Sequence, residues 1–154
     1  MKKDCGFADS LNVLIVDDDE ELRFVFRLWL AGEKIDVTEA HDVEEAWALL
    51  TTPGILPMVL IADNQTHGKT GIEFLSRVQQ ANAPVLGVIL VSGDPAIMGE
   101  GAFLKKEFAR VGVPFFILVK DRLFHEEILD CLAKIKVGSR SCHRNRLSRP
   151  LEGE

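Results

Sequence analysis

The sequence predicts an α/β protein with a doubly wound, five-stranded parallel sheet and helices on both faces. Two observations predict it: short apolar runs rich in Val and Ile recur along the chain, and stretches with helical periodicity alternate with them. Strands that are apolar on both faces are typical of a parallel sheet covered on both sides. Their alternation with helices favours right-handed crossovers between parallel neighbours.

The first two predicted strand–helix units lie between Val13 and Leu50. The run Val13–Val16 is apolar throughout and predicts a buried strand. The segment Glu20–Ala31 has apolar residues three or four positions apart, which predicts a helix with one buried stripe. The strand candidate Ile35–Ala40 is followed by Val43–Leu50, whose apolar residues have the same helical spacing.

The alternation continues through the second half of the chain. Met58–Ala62 predicts a third strand, and Ile72–Ala81 predicts a helix with its apolar residues along one face. The remaining elements are the strand candidate Val85–Val91, the helix candidate Ala96–Val111, the strand candidate Phe115–Val119 and the helix candidate Leu123–Val137.

Length and composition fit one globular domain, since the chain has 154 residues, 47% of them hydrophobic, and a net charge of -6. We assign residues 1–10 to an N-terminal extension and 11–137 to the domain. Residues 138–154 form a basic tail or linker stub, which we expect to be disordered. A nucleic-acid-binding arm is the less favoured interpretation of this tail, because no aromatic residue lies between its basic ones.

The cysteines and the lengths of the apolar runs bear on the compartment. Cys5, Cys131 and Cys142 show no paired spacing, which argues against a disulfide framework or a zinc site and favours a reducing environment. No run approaches the ~18 apolar residues that a membrane-spanning helix needs. We therefore expect a cytoplasmic protein that does not span a membrane.

Carboxylate, hydroxyl or ammonium side chains directly follow four of the five predicted strands. Asp17 and Asp18 follow the first strand, Asp63 the third, Ser92 the fourth and Lys120 the fifth. Ligands of doubly wound sheets bind beyond the carboxyl ends of the strands. Carboxylates held close together repel one another unless a cation lies among them, and Mg²⁺ suits a few oxygen ligands and several waters. Magnesium beside a carboxylate, a hydroxyl and a lysine can hold a phosphoryl group, which a carboxylate can accept as an acyl phosphate.

In order and spacing these residues resemble the receiver domain of two-component response regulators, over about Asn12 to Val137. The resemblance implies the flavodoxin-like (βα)5 fold and makes Asp63 the phosphoacceptor. It implies that Ser92 and Lys120 contact the phosphoryl group. It also implies a Mg²⁺ site formed by Asp17, Asp18, Asp63 and the backbone carbonyl of Gln65.

The same resemblance implies the partners. The phosphoryl group would come from a histidine kinase or a phosphotransfer protein, and phosphorylation would switch binding to a downstream protein that the sequence does not name. A homodimer is a possible partner state. On this interpretation the chain is a phosphorelay module and not an enzyme, and we expect no nucleic acid binding within it.

The chain departs from the family's usual pattern at several positions. His67 stands where receivers usually have a proline, and Asp121 follows Lys120 where they usually have a proline after a cis bond. Because a cis bond before a non-proline residue costs ~2.5–4 kcal/mol, we expect Lys120–Asp121 to be trans, or cis only under strain. Ile117 stands at the position of the usual aromatic switch residue. The segment between Ser92 and Lys120 is longer than usual, which we expect to extend or break the fourth helix.

Two other functions stay open at this point. Haloacid-dehalogenase-type phosphatases also have Asp-x-Asp after a strand, as Asp17 and Asp19 provide, with Asp17 as nucleophile. However, Glu21 stands where that family has Thr or Val, and its late acidic pair is missing. The second alternative is a receiver-like interaction module that is not phosphorylated. The missing aromatic switch residue, His67 and Asp121 favour this alternative.

Overall fold

A computed structural model describes residues 11–66, 69–121 and 124–148, and it contains one five-stranded sheet. The order of the strands across the sheet is β2-β1-β3-β4-β5, and every neighbouring pair is parallel. The predicted doubly wound sheet is therefore confirmed. The strands are β1 (Leu11–Val16), β2 (Ile35–Ala40), β3 (Met58–Asp63), β4 (Val85–Ser92) and β5 (Phe115–Val119).

Helices connect the strands, and a small antiparallel hairpin of Gln65–Thr66 with Lys69–Thr70 follows β3. The first three predicted helices are confirmed to within one residue at each end. The helices are α1 (Glu20–Leu30), α2 (Val43–Leu50), α3 (Gly71–Gln80), α4 (Ile97–Glu100), α5 (Ala102–Arg110) and α6 (Phe124–Ser148).

Aspartates define where the first two helices begin. The side chain of Asp19 accepts hydrogen bonds from the backbone N–H groups of Glu21 and Leu22 at the start of α1. Asp42 accepts one from Glu45 in the same way at the start of α2. These caps satisfy N–H groups that have no partner within the helix, so both helices start directly after a strand.

Two apolar clusters cover the two faces of the sheet. Successive residues of a strand point to opposite faces, so Leu14 and Leu60 belong to one cluster while Ile15 and Ile61 belong to the other. The first cluster is closed by helices α2, α3, α4 and α5, and the second by α1 and α6. The central strands are consequently buried on both sides, and their carboxyl ends are held rigidly.

The segment between β4 and β5 forms two helices, which confirms the expected break and corrects the single predicted helix Ala96–Val111. The junction is Gly101, which is buried. A Cβ atom at this position would lie 2.9 Å from Cδ1 of Ile117 and 3.1 Å from Cδ2 of Leu90. The junction therefore packs closely against β4 and β5, and a side chain at this position would require the methyl groups of Ile117 and Leu90 to shift.

The last helix extends past the predicted boundary at Val137. Residues 138–148, which we assigned to a disordered tail, are helical in the structure. No proline interrupts this stretch before Pro150, and proline disfavours helix at the residue that precedes it. Predictions for residues 1–10, for His67 and for residues 149–154 lie outside the described residues.

Two further predictions concern the described part of the chain as a whole. It contains no cis peptide bond, so Lys120–Asp121 is trans as expected. None of the helices that the structure describes is both long enough and apolar enough to span a bilayer.

Candidate functional site

Strand register brings the predicted site residues to one edge of the sheet. Val16 pairs with Ala62, so Asp17 and Asp63 follow in adjacent positions at the ends of β1 and β3. Asp63 itself pairs with Val91, which places Ser92 one position beyond it on β4. Because parallel strands end at a common edge, three separate segments contribute side chains to a single pocket.

Asp17 is the most deeply buried acid of this pocket, with 2% of its surface exposed. Its Oδ1 atom accepts the backbone N–H of Asp19 at 2.9 Å. Its Oδ2 atom is buried and accepts no hydrogen bond from the part of the chain that the structure describes. Burial, reinforced by the nearby carboxylates of Asp63 and Asp18, raises the pKa of Asp17 to about 6. Among the residues that the structure describes, the pocket therefore contains a buried carboxylate oxygen that accepts no hydrogen bond.

Lys120 brings its ammonium group between the two acids. The Nζ atom lies 2.8 Å from Oδ1 of Asp63 and 3.8 Å from Oδ2 of Asp17. The first distance is a charge-assisted hydrogen bond, whereas the second is an ion pair without one. The backbone N–H of Lys120 donates to the carbonyl of Ser92 at 2.9 Å, which fixes the start of the loop after β5.

Ser92 is 6% exposed and lies at the end of β4. Its hydroxyl oxygen accepts the backbone N–H of Asp94 at 3.0 Å. A hydroxyl group has one hydrogen to donate in addition to its two acceptor positions. The hydroxyl is therefore held by the following turn while its hydrogen can still be donated to an anion.

Asn64, which the sequence analysis did not select, holds the loop after Asp63. Its backbone N–H donates to the carbonyl of Val91 at 2.9 Å, and its own carbonyl accepts the N–H of Gly71 at 2.7 Å. Its side-chain Oδ1 accepts the N–H of Ile72 at 3.1 Å. Asn64 thus fastens the first turn of α3 to the phosphoacceptor candidate. The sequence contains a hint of this role, since Asn directly after a strand commonly bonds nearby backbone groups.

Gly71 lets helix α3 approach Asp63. A Cβ atom at Gly71 would lie 2.8 Å from the carbonyl oxygen of Asp63 and 3.0 Å from Cα of Asn64. Both atoms belong to the backbone and cannot rotate away. The glycine is therefore required where the chain turns from the hairpin into α3.

The proposed metal ligands would offer carboxylate and carbonyl oxygen atoms to a cation. Asp18 is exposed beside Asp17, and Gln65 follows Asn64 at the start of the hairpin. Within the described ranges, no group of three or more His, Cys, Asp or Glu side chains forms a metal cluster by itself. Mg²⁺ does not require one, because it binds one or two carboxylates and keeps several waters. Oδ2 of Asp17 accepts no hydrogen bond within the described residues, and with the carboxylate of Asp63 it gives an oxygen donor set that fits this ion. The complete ligand set of Asp17, Asp18, Asp63 and Gln65 stays a prediction.

Arg23 and Glu39 also belong to the pocket's surroundings, although sequence reasoning missed them. The Nη1 atom of Arg23 donates to the backbone carbonyl of Asp17 at 2.6 Å. Its Nε atom donates to Oε1 of Glu39 at 3.0 Å, and Arg27 contacts the other oxygen of the same carboxylate. These hydrogen bonds and ion pairs keep the pKa of Glu39 below its ordinary value despite partial burial. The sequence spacing of Arg23, Asp17 and Glu39 does not predict these contacts, because they depend on how α1 packs against β2.

The family model of the response regulator receiver domain matches residues 13–110 of the chain. The chain belongs to this family. Receiver domains are generally signalling modules rather than enzymes, they interact with histidine kinases and downstream targets, and they typically bind Mg²⁺.

Individual relatives agree with this assignment to the receiver domain family. The chain is 34% identical over 71 residues to an uncharacterized 14.6 kDa protein of Leptolyngbya boryana, covering 46% of this chain and 53% of that protein. It is 32% identical over 97 residues to the DNA-binding transcriptional regulator NtrC of Salmonella typhimurium, covering 59% of this chain and 20% of that protein. The chain thus spans about half or less of the length of these curated relatives.

A solved receiver structure resembles this one in fold. The crystal structure of a response regulator receiver protein from Pseudomonas putida superposes with a TM-score of 0.63 at 25% sequence identity. The match covers 81% of this chain and 97% of that structure. The similarity therefore extends over nearly the whole of a receiver domain.

Proposed function

We propose that this receiver domain accepts a phosphoryl group on Asp63 from a histidine kinase or a phosphotransfer protein and thereby switches its binding to a downstream protein. The ion pair of Lys120 with Asp63 at the carboxyl edge of the sheet carries the proposal. It brings an ammonium group, the natural partner of phosphoryl oxygens, into contact with the candidate nucleophile. The proposal places the protein in the cytoplasm and includes no catalytic turnover of a small-molecule substrate.

The transfer is a substitution at phosphorus. A carboxylate oxygen of Asp63 forms a new P–O bond while the P–N bond of the donor phosphohistidine breaks. The leaving imidazole nitrogen keeps the bonding electron pair and takes up a proton, so charge and atoms balance. Lys120 pairs with one phosphoryl oxygen, and the hydroxyl of Ser92 donates a hydrogen bond to a second phosphoryl oxygen. Both contacts stabilise the negative charge of the transferred group.

Asp17, Asp18, Asp63 and the carbonyl of Gln65 would hold Mg²⁺ in this proposal. When bound, the ion neutralises charge on the transferring group and helps to orient it. The Oδ2 atom of Asp17 supports this assignment, because it is buried and accepts no hydrogen bond within the described residues, which is costly for an anionic oxygen.

Mass spectrometry of the intact protein tests the proposal. The protein is incubated with Mg²⁺ and acetyl phosphate, and we expect a gain of one phosphoryl group that peptide mapping locates on Asp63. Asp63→Asn removes the nucleophile and abolishes the gain. Asp130→Asn is the matched control, since Asp130 lies on the exposed surface of α6 and pairs with Lys134.

Other results would decide for the alternatives. Labelling on Asp17 would overturn the proposal in favour of a phosphatase that uses this residue as nucleophile. Absence of labelling with acetyl phosphate, with phosphoramidate and with a panel of autophosphorylated histidine kinases would leave a receiver fold that acts without phosphorylation.

A further inference from the structure

Arg23 connects three elements at the carboxyl edge of the sheet. It lies in the first turns of α1, and only 14% of its side chain is exposed. One end of its guanidinium donates to the carbonyl of Asp17 beyond β1, and Nε donates to Glu39 on β2. A planar guanidinium can make two such bonds at once because its donors diverge in a fixed geometry.

Arg23 contacts the backbone carbonyl of Asp17, which belongs to the peptide unit between Asp17 and Asp18. A peptide unit is planar, so fixing this oxygen also fixes the direction of the N–H of Asp18 and restricts where its carboxylate can point. The loop is held at a second point, because Oδ1 of Asp17 accepts the N–H of Asp19 at 2.9 Å. The conformation of the acidic pair is thus set by groups outside the pair.

The acidic pair needs such a restraint. Asp17 and Asp18 are adjacent acids that repel each other and Asp63, which favours conformations that move them apart. The position of Glu39 is itself restrained, because it lies on β2 and pairs in register with Ile15 of β1. Arg23 is therefore tied to a fixed point of the sheet and not merely to the solvent-exposed surface.

We propose that Arg23, oriented by Glu39, is a positioning residue that holds the Asp17–Asp18 peptide in the conformation required for Mg²⁺ binding. The inference rests on the proposed function, since it assigns a task to residues that support the same metal site. Residues that orient metal ligands without touching the metal typically change affinity by about 10–100-fold when they are removed.

Calorimetric titration with Mg²⁺ alone tests the inference. We expect Arg23→Met to weaken Mg²⁺ affinity by about tenfold. Arg27→Met is the matched control, because it removes a second arginine from Glu39 but no contact with Asp17. We expect it to change Mg²⁺ affinity by less than about twofold, well below the ~10–100-fold that loss of an orienting residue typically costs. Arg23→Lys keeps the charge without the divergent pair of donors, so its affinity falls between those of the wild type and Arg23→Met.

Amide hydrogen exchange of the metal-free protein gives a readout that does not depend on metal. We expect faster exchange at Asp18 and Asp19 in Arg23→Met and in Glu39→Gln than in Arg27→Met. Glu39→Gln keeps the test decisive if Arg23→Met does not fold. Equal exchange and equal Mg²⁺ affinity in the Arg23 and Arg27 variants would overturn the inference. If the wild-type protein binds no Mg²⁺, the proposed metal site is contradicted. The hydrogen-exchange data then show only whether Arg23 holds the Asp17–Asp18 peptide in place.

Discussion

At the scale of single residues, the charge of Asp17 dominates the energetics of the pocket at the carboxyl edge of the sheet. Its carboxyl group is almost fully buried, and its pKa rises from 3.8 to about 6 because burial disfavours the ionised form. The folded protein therefore holds this proton more tightly than the unfolded chain does. The stabilisation from this group is fully present below about pH 4 and is lost as the pH rises through about 6.

Asp17→Asn should therefore stabilise the metal-free protein at pH 8. We expect the free energy of unfolding to increase by about 1–3 kcal/mol, since each unit of pKa shift corresponds to about 1.4 kcal/mol. The gain should shrink towards pH 4, where the wild-type carboxyl group is also uncharged. Urea unfolding at both pH values measures it, with the surface variant Asp130→Asn as a control that shows no such gain. A gain of equal size at both pH values would contradict this account.

The positions of the site residues were predictable from sequence, but their contacts were not. Asp17, Asp63, Ser92 and Lys120 all follow apolar runs, and parallel strands necessarily end at one edge. The short distance between Lys120 and Asp63 depends on the path of the loop after β5, which no residue spacing encodes. The contact of Arg23 with Asp17 likewise depends on how α1 packs against β2.

At the scale of elements, the approach of helix α3 to β3 limits what residue 71 can be. We expect Gly71→Ala to cost about 1–3 kcal/mol of unfolding free energy, as overpacking against immovable atoms does. Gly93→Ala is the matched control, because a Cβ atom there would meet nothing within 4 Å. Guanidinium unfolding of the two variants measures the difference. If both variants had the same stability, helix α3 would have to be able to move away from Asp63 without cost.

The break between helices α4 and α5 was predictable from the sequence, but its position was not. Its extra length and its glycines indicated that a fourth helix would be extended or broken, and the structure has the break at Gly101. The position of the break depends on Ile117 and Leu90, which lie on neighbouring strands and pack against that glycine. Sequence periodicity alone cannot locate a boundary that is set by tertiary packing.

At the scale of the whole molecule, the described core is complete before the end of the chain. The two apolar clusters on the faces of the sheet draw their members from Leu11 to Ile135. We therefore expect a chain shortened after Val137 to keep its melting temperature within about 4 °C, the effect of roughly 1 kcal/mol in a domain of this size. It should also accept the phosphoryl group as the full chain does.

Differential scanning calorimetry of the shortened chain measures this expectation. A second chain, shortened after Asp130, is the control because it lacks the buried residues Leu132 and Ile135 and should lose its cooperative transition. Loss of the transition on shortening after Val137 would place residues 138–154 within the folding unit. The sequence could not settle this point, since a basic, serine-containing segment indicates disorder while helix continuation depends on local backbone hydrogen bonds.

Lys120 follows β5, a strand at the edge of the sheet that pairs with β4 on one side. Its ammonium group offsets the acids of β1 and β3, so the charge of the pocket contributes to the free energy that keeps this edge strand in place. Any event that alters that charge alters the stability of the edge. By thermodynamic reciprocity, if a ligand in the pocket changes the affinity of a protein for the outer side of β5, that protein changes the affinity of the pocket for the ligand by the same factor.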